Sequence, residues 1–68
     1  TPRPGPAWKT IGGTVTRIKG DTYTVEDYEG NQVHLYVSRE TKHLRGHKKV
    51  GDRVRAEITR DGFANSIQ

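Results

Sequence analysis

The chain is predicted to be all-β, a small five-stranded antiparallel barrel, and three features of its 68 residues carry that prediction. Apolar and polar residues alternate over Ile11 to Ile18, Thr22 to Asp27 and Gln32 to Ser38, the period of two that a half-buried strand requires. Lys19-Gly20-Asp21 and Glu29-Gly30-Asn31 separate these runs, and a Gly-centred spacer between β-rich runs signals a hairpin because glycine enters the left-handed region without strain. Two further runs, Arg53 to Thr59 and Phe63 to Ile67, repeat the pattern across Asp61-Gly62.

The first ten residues stand apart. Pro2, Pro4 and Pro6 alternate with other residues ahead of Trp8, which excludes a helix and favours an extended, polyproline-like arm over 1–10, with the barrel occupying 11–68. In the first strand Ile11, Gly13 and Val15 share a face but Ile18 falls out of period, which predicts a β-bulge near Thr16-Arg17, with Gly12-Gly13 available for the same bend. The second strand turns Tyr23 and Val25 inward and Thr22, Thr24 and Glu26 outward. Val33, Leu35 and Val37 face in on the third, with His34 and Tyr36 out, and the fourth buries Val54, Ala56 and Ile58 beneath a solvent row of Arg53, Arg55, Glu57 and Thr59. Val15, Val25, Val33, Leu35, Val37, Val54 and Ile58 are the expected core.

Between strands three and four, residues 39–49 lack a strand period. Ser38 is placed to cap a short helical turn or loop, with Thr41 three positions on, Leu44 plugging the barrel and Gly46 ending the turn; Val50-Gly51-Asp52 then leads into strand four. Three strands, a short connection and two more strands is the order of an OB-like barrel, and an SH3-like barrel fits nearly as well. The stretch GGTVTRIKGDTYTVEDYEGNQVHLYV, with ETKHLRGHKKVGDRVRAEITRDGFANSI after it, resembles small exported bacterial OB-like domains of unknown function. The shared patterns are G-x-V-x-x-I-x-G-D-x-Y-x-V over Gly13 to Val25, D-x-x-G-x-x-V over Asp27 to Val33, Thr41-Lys42, and K-V-G-D-x-V-x-A over Lys49 to Ala56. This resemblance spans about residues 11 to 67, consists of turn and core residues, and implies an exported, periplasmic or extracellular location without carrying over any ligand or catalytic residue.

Composition narrows the options. A core of this size rarely contributes more than about 3 to 5 kcal/mol unaided, and the absence of cysteine removes disulfides and thiolate metal sites. Hydrophobic and charged residues are each 29% of the chain, a balance that suits disorder unless the apolar positions are patterned, as they are here. No run approaches the ~20 apolar residues of a membrane helix, so no membrane insertion is expected; the Thr1 start reads as a terminus processed after export.

Charge is polarised. Arg39, Lys42, Arg45, Lys48, Lys49, Arg53 and Arg55 face only Glu40 and Asp52 within 39–55, whereas residues 21–29 hold four acids and no base. With Tyr36 beside His34 as a stacking platform, the 39–55 surface is a candidate site for single-stranded nucleic acid or another polyanion, against the plainer reading of a solvated surface. The preferred reading is a non-enzymatic homo-oligomer: an arm of Pro2, Pro4, Pro6 and Trp8, spanning up to about 33 Å over ten residues, inserts Trp8 into a neighbour and builds a ring or filament, the alternative being that Trp8 folds back on its own barrel. No cofactor and no catalytic residues are expected. Ser38, Ser66 and the histidines offer no nucleophile-base order, and Glu26, Asp27 and Glu29 read as turn residues without a pocket. His43 and His47 have three residues between them, which on a helix would align two imidazoles, but Gly46 argues against the helix and His34 lies at unknown distance, so no metal site is expected.

Overall fold

The computed structural model describes residues 2–68, so Thr1 of the predicted arm lies outside the described residues. Six strands form one sheet: β1 (Lys9–Lys19), β2 (Thr22–Asp27), β3 (Gln32–Tyr36), β4 (Lys42–His43), β5 (Arg53–Ile58) and β6 (Ala64–Ile67), ordered β3-β2-β1-β5-β6-β4. Every ladder is antiparallel except β4 on β6. The sheet curls without closing, and a lone bridge between Tyr36 and Phe63 brings the end of β3 to the start of β6.

The turns obey the glycines. Gly20, Gly30, Gly46, Gly51 and Gly62 all have positive φ, the conformation the hairpin spacers require. Asp27 Oδ1 accepts from the amides of Glu29 at 2.9 Å and Asn31 at 2.8 Å, so this carboxylate is consumed in shaping the β2–β3 turn. Asp52 does the same before β5, its Oδ2 accepting from Lys49 N at 3.0 Å.

The bulge falls where the lost period put it. Val15 pairs with Val25, then the register slips so that Arg17, not Thr16, faces Thr24 and Ile18 faces Tyr23. That slip returns Ile18 to the core side, where it packs against a buried cluster containing Ile11, Val15, Tyr23, Val25, Leu35, Val54, Ala56, Ile58 and Ile67. Val33 and Val37 of the expected core are half-buried at its margin. At Gly13 the strands cross so closely that a Cβ would sit within 2.1 Å of Glu26 O, a reason for glycine independent of φ.

Two expectations are corrected here. The connection after β3 contains no helix: Ser38 and Thr41 exchange hydrogen bonds in a turn, Thr41 N donating to Ser38 O and Ser38 N to Thr41 Oγ1, both at 3.1 Å, and an added sixth strand, β4, follows. The buried Thr41 hydroxyl donates to Ala64 O at 2.7 Å, which pins this turn to β6 and starts a period of two. Leu44 therefore points outward, 58% exposed, and plugs nothing. The second correction concerns the arm. Trp8 N donates to Ile58 O at 2.7 Å and Asn65 Nδ2 donates to Gly5 O at 2.9 Å, so the segment before β1 lies on its own sheet, the fold-back alternative, rather than reaching out. The molecule's longest dimension is 26 Å, shorter than the extended arm alone.

Candidate metal centre at His43 and His47

The two-residue β4 and the loop after it bring together the only close pair of imidazoles among the described residues. β4 hydrogen-bonds along β6, with Lys42 opposite Ser66, His43 opposite Ile67, and Leu44 N donating to Ile67 O at 2.9 Å. Beyond this the chain reverses over Leu44-Arg45-Gly46, where a bridge links Leu44 and Gly46 and the positive φ of Gly46 supplies the reversal. The reversal returns His47 over His43, with ring centroids 4.2 Å apart and ring planes inclined by 42°. No helix is needed; the glycine that argued against a helix instead makes the turn that pairs the rings.

His43 is half-buried, and its Nδ1 is shielded from solvent with no hydrogen-bond partner. An unpaired buried nitrogen costs about 1 to 3 kcal/mol, and in the tautomer that puts the proton on Nε2 its lone pair suits a cation. Burial first, and the neighbouring His47 second, push the His43 pKa below its ordinary value, so the neutral, ligating form is favoured. His47 is exposed, which leaves the pair open to solvent on one side.

The donor set is small. No group of three or more His, Cys, Asp or Glu side chains gathers among the described residues, and His34 is engaged elsewhere, sharing a 3.1 Å hydrogen bond with Thr24 through Nδ1. The chain has neither Cys nor Met, so a soft sulfur ligand is excluded and imidazole nitrogen is the strongest donor available.

The proposed basic surface is dispersed. Lys42 lies on β4 itself, Arg39, Arg45, Lys48 and Lys49 follow the loops on either side of it, and Arg53 and Arg55 stand on the outer face of β5. Tyr36 bridges to Phe63, next to the Ile58 end of β5; Arg53 lies at the opposite end, about 16 Å away along the strand. No single groove joins the stacking residue to all the cations. Asp27 and Glu29, read as turn residues without a pocket, do border an open cleft of 290 Å³ with Lys9, Thr10, Ile11, Gly12 and Tyr28, though the Asp27 carboxylate is engaged by the turn amides.

Solved structures of CusF share this architecture. CusF with Ag(I) superposes with a TM-score of 0.73 at 17% identity, covering 88% of this chain and 93% of that one. A tryptophan-to-alanine variant of CusF from Escherichia coli with Cu(II) gives 0.74 at 17% identity, covering 97% and 95%. The chain shares its fold with CusF. At that identity the likeness establishes the OB-like fold and no more. No protein-family model matches the sequence, and no characterised protein matches it by sequence.

The self-assembling reading and its polyanion alternative are both corrected by these findings. The two CusF structures are metal complexes, one with Ag(I) and one with Cu(II), and the arm that was to reach a neighbour is hydrogen-bonded to its own β5 and β6. Trp8 remains 51% exposed, with Lys9 Nζ 4.6 Å from its ring centre, so the arm's own lysine already covers part of the proposed anchor. Sequence reasoning missed the histidine pair because it tested only helical spacing. The available signal was Gly46 between two histidines just after a short extended segment.

Proposed function

We propose that this chain is a small, non-enzymatic metal-binding domain that holds a divalent ion of the Cu(II) class through His43 and His47. The observation that carries this reading is the buried, unpartnered Nδ1 of His43, on a ring whose centre lies 4.2 Å from that of His47. With metal–nitrogen bonds of about 2.0 Å and a ring radius of about 1.2 Å, two imidazoles at a right angle have centroids about 4.5 Å apart, and at the tetrahedral angle about 5.2 Å. The 4.2 Å separation is shorter than either, so the rings must part slightly to admit an ion, and the preference for Cu(II) over Zn comes from the higher affinity of nitrogen donors for Cu(II). The two CusF structures, one with Ag(I) and one with Cu(II), support metal handling as a use of this fold. The missing sulfur donors argue that this chain takes the harder ion.

Two imidazoles leave coordination positions for water or for a partner's donors, so the ion exchanges readily. That suits transient carriage more than structural retention. The turn and core motifs resembling exported domains support a location outside the cytoplasm.

The test is titration of the metal-free protein with Cu(II), followed by calorimetry and by the nitrogen hyperfine pattern of the paramagnetic spectrum. One equivalent should bind with two nitrogen ligands, and His43→Ala or His47→Ala should weaken binding at least about tenfold. Equal Cu(II) affinity in the native protein and in a variant carrying both His43→Ala and His47→Ala would overturn the assignment.

A further inference from the structure

A second site follows from the bulge in β1. Without the extra residue, the period of two would place Arg17 on the same side as the buried Val15; the slip after Val15 instead sets Arg17 opposite Thr24 and Lys19 opposite Thr22, with both cations exposed. On the next strand His34 lies opposite Thr24. These five residues line an open cleft of 360 Å³ on the outer face of β1, β2 and β3, and no acidic side chain lines it. Glu26, on the same face of β2, lies two positions past Thr24, about 7 Å further along. Asp21 lies in the adjoining turn.

We infer that this cleft binds a single tetrahedral oxyanion of the phosphate class. Its lining offers the Arg17 guanidinium, the Lys19 ammonium, the Thr22 hydroxyl and the Nε2 side of the His34 imidazole, whose Nδ1 is taken up by Thr24, and a phosphate's several oxygens accept from such donors. The geometry is pre-set: Thr24 is buried and holds His34 Nδ1 at 3.1 Å, while Thr16 Oγ1, inside the bulge, donates to Thr24 O at 3.3 Å. Arg17 and Lys19 stand two residues apart on one strand face, about 7 Å at the backbone, a span that one phosphate bridges once the long side chains converge. The cleft uses none of the 39–55 cations and neither His43 nor His47, so it is independent of the metal reading.

The experiment is titration of the metal-free, isotope-labelled protein with inorganic phosphate at constant ionic strength, chloride making up the balance. Saturable amide shifts should centre on Arg17, Lys19, Thr22 to Thr24 and His34. Arg17→Gln with Lys19→Gln should weaken binding at least about tenfold, while Arg53→Gln with Arg55→Gln leaves it unchanged. Shifts that rise linearly and spread over all surface cations, or equal weakening by the β5 pair, would overturn the inference. Acetate binding as tightly as phosphate would overturn the tetrahedral class. Because all four substituted side chains are exposed, loss of binding through unfolding is excluded by retention of the native amide spectrum.

Discussion

Two glycines, one threonine and one histidine show how single residues here are fixed by different causes. Gly13 has no room for a side chain: its Cβ would meet the carbonyl of Glu26 and the Cα of Asp27, both backbone. Gly13→Ala should therefore cost about 3 kcal/mol in chemical denaturation, since the β1–β2 ladder must open to admit it. Gly20 is the opposite case, with φ of 57° and nothing within 4 Å, so Gly20→Ala should cost only about 1 kcal/mol of backbone strain. Thr41→Val leaves the Ala64 carbonyl and the Ser38 amide without their hydroxyl partner and should lower stability by about 2 kcal/mol. It should also weaken Cu(II) binding, because the same hydroxyl anchors β4. For His43 the folded pKa lies below the unfolded value of 6.5, so the unfolded chain takes up the proton first. The metal-free protein should hold its full stability above about pH 6.5 and lose some of it as pH falls below that value. His43→Gln should flatten this dependence in thermal melts recorded across that range.

At the scale of elements, the bulge and the arm have the widest consequences. One inserted residue in β1 returns Ile18 to the core and turns Arg17 and Lys19 outward, so a single irregularity serves both packing and the cationic cleft. The arm contributes two hydrogen bonds to β5 and β6. Removing residues 1–8 should lower stability by about 1 to 2 kcal/mol without changing the mass measured by light scattering. A large drop in mass on truncation would revive a contact between copies. β4 is only two residues long and lies parallel on β6, so its place depends on the Thr41 hydroxyl and on Leu44 N more than on its own ladder.

For the whole molecule, the ledger of donors decides what it can hold. No Cys and no Met leaves nitrogen and oxygen ligands, so Ag(I) should bind more weakly than Cu(II) in direct competition, although a protein of the same fold carries Ag(I). Tighter Ag(I) binding would contradict the nitrogen assignment. The small sheet also explains why the two candidate sites sit outside it. Its interior is filled by side chains, with Val15, Val25, Leu35 and Ile67 among the largest fully buried, so ligands are left the outer face and the loops.

Sequence alone determined the local features: the alternation that makes β1, β2, β3 and β5, the left-handed glycines of the hairpins, the Asp27 turn, and a bulge where Ile18 loses period. Each depends on residues close in the chain, through backbone sterics and the two-residue period. Tertiary structure decided the rest. The parallel docking of β4 on β6 joins Thr41 to Ala64 across 23 residues, and the arm's bond to Asn65 crosses 60. Neither partner can be read from its own neighbourhood. The meeting of His43 and His47 spans only four positions, yet it too waited on the fold, because the β6 edge holds the first ring while Gly46 brings back the second.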